Sequence, residues 1–282
     1  MVSWQMNGVA HVMRLVYRRR FVTEAAGIRT LNRPKGPSAP PKAIRRRWNV
    51  TTTSVNGFDV HRIGRADKAV VYLHGGAYTS EIVRQHWSLV DFLAARTGFE
   101  VHVPIYGLSP EHHGLEALGL VTEVVRGLGK PCYLVGDSAG GGLAMLTAQA
   151  LKGDGINGFT MIAPWLDLTM SNPGIDAVEP TDPWLYRAGL RPIADAWTGG
   201  LPLDDPRLSP IHGDLDGLPP MQILVGTRDI TLPDCRLLRD KAGGEVTYHE
   251  QEGAIHVYPL LPVPEAKAGR RAIVEHIRAT VA

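Results

Sequence analysis

The chain has 282 residues, 44% of them hydrophobic and 21% charged, enough for one large α/β domain or two smaller ones and too apolar for a disordered or collagen-like chain. Its 30 Lys plus Arg nearly balance 28 Asp plus Glu, but residues 1–50 carry eleven basic side chains and one acid, Glu24, leaving 19 basic against 27 acidic groups beyond them. A basic arm precedes an acidic body, and the arm lacks the interleaved aromatics and folded recognition motif of a nucleic-acid binder.

In chain order, Trp4 to Tyr17 predicts a helix with Val9, Val12, Met13, Val16 and Tyr17 on one side. Arg18 to Arg20 follow these apolar residues where a secretory leader would place them first, so a cytoplasmic product is expected. Asn32-Arg33-Pro34-Lys35-Gly36-Pro37 and Pro40-Pro41 break the helix and read as a connector. Val50 to Ile63 alternates about Asn56-Gly57, a β-hairpin signal. Short apolar runs then alternate with helical stretches, as a parallel sheet with crossover helices requires. The expected strands are Ala69 to Leu73, Val101 to Ile105, Cys132 to Val135, Phe159 to Ala163, Gln222 to Val225 and Val246 to His249. Nearly sixty residues separate Ala163 from Met221, more than a crossover needs, so an insertion is expected there. No window supplies the roughly 18 apolar residues of a membrane-spanning helix. Cys132 and Cys235 match no metal-ligand spacing and read as ordinary thiols.

The most informative residues are Gly136-Asp137-Ser138-Ala139-Gly140, at the end of one expected strand and the start of a helix. A serine on so tight a turn needs small neighbours two residues away on either side, and Gly136 and Gly140 supply them. Its hydroxyl needs a base. Among eleven histidines His256 fits, in a loop after a late strand where a doubly wound sheet places its site; His249, the nearest rival, lies within that strand. The imidazole needs a carboxylate, and Asp229 follows the strand Gln222 to Val225. Asp234 is its rival and reads as a helix-surface carboxylate. His74-Gly75-Gly76-Ala77-Tyr78 follows an early strand, where the N–H groups of Gly75 and Gly76, with that of Ala139, are placed to hold an oxyanion and His74 to orient the loop.

The order Ser138, Asp229, His256 is that of the α/β-hydrolase sheet. With Ala163-Pro164-Trp165-Leu166-Asp167-Leu168, Leu208-Ser209-Pro210, Leu218-Pro219-Pro220 and Gly226-Thr227-Arg228-Asp229, these motifs cover most of residues 68–260, and the chain resembles the hormone-sensitive-lipase-like, or family IV, bacterial esterases. The resemblance implies an α/β-hydrolase fold, a mostly parallel sheet with helices on both faces and a helical cap. It implies a serine esterase without cofactor or metal, with Ser138, Asp229 and His256 as the triad. It further implies cap pieces at 1–48 and about 169–203, on a catalytic domain of 49–282. Two departures stand out: Ala77 replaces a third glycine, and Tyr106-Gly107-Leu108-Ser109-Pro110 has glycine and serine where the family pattern has arginine and alanine.

Trp184, Leu185, Tyr186, Ile193 and Trp197 of the insertion either line an acyl or alcohol pocket or form the cap's own small core. Segments this short imply short- to medium-chain acyl esters, acetyl esters among them. The alternatives are a lactone hydrolase or a ligand-binding module that does not cleave. A small-molecule ester is the expected partner, with weak contact of Arg18 to Arg20 to a membrane surface left open; nothing in the sequence separates a monomer from a homodimer.

Overall fold

The computed structural model describes residues 2–281. The chain begins with three helices, α1 (Trp4–Val16), α2 (Glu24–Leu31) and α3 (Lys42–Arg47). The first two are capped by hydroxyls: Ser3 Oγ accepts from the Met6 N–H and Thr23 Oγ1 from that of Ala26. The hairpin β1 (Val50–Val55) and β2 (Phe58–Ile63) follows, with Asn56 and Gly57 both at positive φ, which matches the right-handed twist of the strands.

The body alternates β3 (Ala69–Leu73), α4 (Arg84–Thr97), β4 (Glu100–Pro104), α5 (Gly114–Leu128), β5 (Cys132–Asp137), α6 (Ala139–Leu151) and β6 (Ile156–Ile162). The expected insertion carries α7 (Ile175–Val178) and α8 (Arg187–Trp197). The chain then closes with β7 (Met221–Arg228), α9 (Leu232–Lys241), β8 (Val246–Ile255) and α10 (Pro264–Thr280). The eight strands form one sheet in the order β1-β2-β4-β3-β5-β6-β7-β8, parallel from β4 onward and antiparallel at the hairpin edge.

Helices cover both faces, so central strands are buried on both sides. In β3, Val71 and Leu73 join the core beneath α5, α6 and α9, whereas Val70 and Tyr72 join that beneath α4 and α10. The start of α1 belongs to this second core: Met6 and Ala10 are buried there, and Ser3 is fixed to the Glu265 carboxylate of α10 by its N–H and its hydroxyl. Only the end of α1 reaches the insertion, where the Tyr17 and Trp184 rings lie 5.8 Å apart. Of the apolar stripe predicted for α1, Val9 and Met13 pack against this core and Tyr17 against the insertion, whereas Val12 and Val16 are exposed. Both cysteines are buried free thiols, and burial pushes that of Cys132 up to about 12.

Candidate active site

The site lies at the carboxyl ends of the central strands. Ser138 joins β5 directly to α6 with φ 52 and ψ −119, a conformation a non-glycine residue holds only under constraint. The constraint is visible. The Ser138 N–H donates to the Ile162 carbonyl at 2.8 Å, and the Ser138 carbonyl accepts from Gly141 and Trp165. A Cβ at Gly136 would strike the Gly140 carbonyl, and one at Gly140 the Leu73 carbonyl, so both positions are fixed as glycine by backbone on the far side.

Below the turn, Asp137 accepts from the Tyr72 hydroxyl at 2.5 Å and from His86 Nε2 at 3.2 Å. Burial alone would raise the Asp137 carboxyl, but His86 and these bonds outweigh it and hold it below its ordinary value. His86 thus braces the residue before the serine.

The structure brings the three distant residues together. His256 follows β8 immediately, and its Nε2 lies 2.9 Å from Ser138 Oγ. Its Nδ1 lies 3.0 Å from each Asp229 carboxylate oxygen, so the protonated Nδ1 donates to Asp229 and Nε2 is left to accept from the hydroxyl. Asp229 follows β7 and also accepts from the Thr231 N–H and hydroxyl, both at 3.0 Å. Burial works against charge on His256, yet the Asp229 carboxylate, with smaller contributions from Asp182 and Asp137, raises its pKa above the ordinary value. His249, the rival base, instead neighbours Gln222 on the sheet.

Gly75 presses against the same turn: a Cβ there would strike the Asp137 carboxylate and come to 3.0 Å from Ser138 Cβ. Gly76 has φ +128, where a side chain is strained in any case. Among the described residues the N–H groups of Gly75 and Gly76 donate to no backbone or side-chain acceptor, and Ala139, first in α6, has no intrahelical acceptor for its own. Three donors are thus free beside Ser138. His74 Nδ1 donates to the Gly75 carbonyl at 2.8 Å while its ring stacks on Tyr106, 4.5 Å between centroids. Burial, assisted by His86, brings the His74 pKa down to about 4, so it stays neutral as it holds the loop.

At the departure from the family pattern, the space beside Gly107 is occupied by the His112 ring, which a Cβ would strike. Ser109 is engaged through its backbone, donating to the Tyr78 carbonyl at 2.8 Å and accepting from Lys35 Nζ at 2.6 Å.

A mostly apolar pocket lies over Ser138 and His256, walled by Trp165, Met170, Ile175, Leu185 and Leu190. About 30 Å³ is free, room for one or two waters. Of the insertion residues expected to line it, Leu185 does so. Ile193 and Trp197 are fully buried in the core, with Trp197 stacked on Tyr78 at 4.0 Å, and Trp184 meets His256 edge-on at 5.6 Å.

Two carboxylates depart from the sequence reading. Asp234 is no surface group: it is 5% exposed, lines the pocket, accepts from Asn172 at 2.8 Å, and burial lifts its pKa to about 6. Asp182 of the insertion belongs to none of the sequence motifs, and it is fully buried. One of its oxygens accepts from the Trp184 and Leu185 N–H groups at 2.7 and 3.0 Å, the other from that of Ile230 at 2.9 Å. Burial first, and the nearby Asp229 charge second, raise it to about 7. The Asp182-Pro183 pair was a turn signal, but nothing local announced its burial beside the residue after Asp229.

A family model described as alpha/beta hydrolase fold matches residues 70–260. The chain belongs to the α/β-hydrolase family. Its relatives include an esterase of Acinetobacter venetianus, 31% identical over 219 residues, 74% of this chain and 70% of the relative. An acetyl-hydrolase of Streptomyces hygroscopicus is 34% identical over 222 residues, 73% of each chain. Among solved structures, an esterase from the bacterial hormone-sensitive lipase family superposes with TM-score 0.81 at 25% identity over 100% of both chains. The resemblance to hormone-sensitive-lipase-like esterases read from the motifs therefore holds for this α/β hydrolase. No helix among the described residues is long and apolar enough to cross a membrane.

Proposed function

We propose that this α/β hydrolase cleaves carboxylic esters through an acyl-serine intermediate on Ser138. His256 Nε2 takes the hydroxyl proton as Oγ attacks the ester carbonyl carbon, and Asp229 keeps the ring in the tautomer that can accept it. The carbonyl oxygen becomes an oxyanion that accepts from the N–H groups of Gly75, Gly76 and Ala139. The tetrahedral adduct collapses as His256 returns the proton to the departing alkoxide, leaving an acyl-enzyme and an alcohol. Water then gives a proton to His256 and attacks the acyl carbon, and the proton goes back to Ser138 Oγ as the acid leaves.

The observation that carries this reading is the chain of contacts from Ser138 through His256 to Asp229, at 2.9 and 3.0 Å, beside unengaged N–H donors. The apolar walls and small free volume of the pocket favour short acyl groups, and the acetyl-hydrolase among the relatives is named for such a group. The test is hydrolysis of p-nitrophenyl butyrate with labelling by a fluorophosphonate. Wild-type protein is expected to turn over the ester and take the label, and Ser138→Ala to do neither while keeping its circular dichroism. Undiminished turnover in that variant would remove Ser138 from the reaction.

A further inference from the structure

Eight large apolar side chains stand well exposed on the described surface, and six of them, Trp4, Val12, Leu15, Val16, Val22 and Ile28, fall between residues 4 and 28. Four lie on α1. At 100° per residue Trp4, Val12, Leu15 and Val16 share one side, opposite the buried Met6 and Ala10. Trp4 is 79% exposed, so this stripe has no partner among the described residues.

The same segment concentrates positive charge. Arg19, Arg20, Arg29 and Arg33 line a groove of about 530 Å³ between the turn after α1 and α2, with Thr30 and Asn32 beside them. Among the described residues no arginine from Arg14 to Arg33 pairs with a carboxylate, and Glu24 is the one acid in this stretch of sequence. The cations repel one another as well: burial first, and the charge of Arg33 second, lower the Arg20 guanidinium. An unneutralised four-arginine groove suits a phosphate, which guanidinium groups bind in a forked geometry.

We propose that this N-terminal face docks on an anionic phospholipid surface, the apolar stripe of α1 entering the headgroup layer and the arginine groove taking lipid phosphate. An apolar helix side followed directly by an arginine cluster has the elements of an interfacial anchor, held by buried area together with attraction to anionic lipid. A two-fold contact between copies through this face would set one arginine cluster against the other, which disfavours self-association. The face also adjoins the site. Tyr17, at the end of α1, meets Trp184, and Trp184 meets His256. Docking stands apart from the ester-hydrolase reading; only its use, presenting lipophilic esters to Ser138, rests on it.

The test uses the full chain and sedimentation with vesicles of phosphatidylcholine alone or with about one third phosphatidylglycerol. Binding is expected only to the anionic vesicles and should fall at least about tenfold between low and high salt. Arg29→Gln with Arg33→Gln should weaken it roughly 30-fold, and Trp4→Ser with Leu15→Ser should weaken it too, all with unchanged circular dichroism. Fold and docking are thereby read without reference to catalysis. The proposal fails if anionic vesicles do not bind at low salt, or if lipid charge makes no difference. It also fails if soluble glycerol phosphate saturates the groove as tightly as vesicles do. Light scattering that shows a dimer dissolved by Trp4→Ser would equally overturn it, by giving the face to a second copy.

Discussion

Replacing Asp182 with alanine is expected to destabilise the protein by an amount that depends on pH in a definite sense. The variant strands two buried N–H donors, those of Leu185 and Ile230, at about 1–3 kcal/mol each, and the half-buried one of Trp184 at less, a loss of roughly 2–7 kcal/mol. Against this stands the cost of an ionised Asp182 beside Asp229. A carboxyl lifted from 3.8 to about 7 carries a penalty of about 4 kcal/mol once the pH is well above the higher value. Because the folded pKa is raised, the stability that the protonated group contributes is complete below pH 3.8 and is lost as pH climbs through about 7. Alanine has nothing to lose over that range. The deficit of Asp182→Ala should therefore shrink by about 3 kcal/mol between about pH 5 and pH 8.5. Urea unfolding of both proteins at several pH values measures this, and most other groups titrate alike in the two and cancel. A deficit constant to within about 0.5 kcal/mol would mean that the amide donors keep Asp182 ionised throughout, and the reasoning would be refuted.

Two substitutions probe the roles assigned around Ser138. Asp229→Asn offers His256 a carboxamide that stabilises the wrong tautomer, so kcat on p-nitrophenyl butyrate should fall on the order of 10⁴-fold. Since Asp229 is the chief contact raising the His256 pKa, the acid limb of the residual activity should also move to lower pH; a loss below about tenfold with an unmoved limb would separate Asp229 from His256. Gly75→Ala places a Cβ against the Asp137 carboxylate and Ser138 Cβ, which must displace a proposed oxyanion donor. A fall of about 10²- to 10³-fold in kcat with little change in KM is expected, and a near-normal kcat would show that Gly75 donates nothing.

Much of this arrangement was legible because it is encoded locally. Ala69 to Leu73 was expected as a strand and is β3 without a residue's difference, since five fully buried apolar residues can serve little else. The glycines around Ser138 announced the tight turn because each faces backbone at close range, a demand that leaves its mark in the sequence. Strand ends were less clear: β8 continues past His249 to Ile255 through half-exposed polar residues that carry no apolar signal, so His256 directly follows the strand. Asp182 and Asp234 escaped for another reason. Their burial depends on contacts to residues 48 and 62 positions away, and a carboxylate enclosed by the fold reads in sequence like one in water. The arginine groove was half legible: composition gave the charge, and only the packing of α2 showed four cations facing one space.

Where α2 meets α8, the contact at Gly27 and Gly189 leaves no room for a side chain. A Cβ on Gly27 would strike the Gly189 carbonyl, and one on Gly189 would strike the Phe21 backbone, so main chain lies directly on main chain. At these two positions no rotamer is available to absorb displacement, so the N-terminal segment and the insertion, far apart in sequence, are coupled closely there. Substrate needs more than the about 30 Å³ now free beneath α8. A displacement of α8 to admit it would press on α2 through this contact, and so on Arg29 and Arg33. The entrance and the cationic groove would thus be moved by a single hand: a force applied at one is felt at the other.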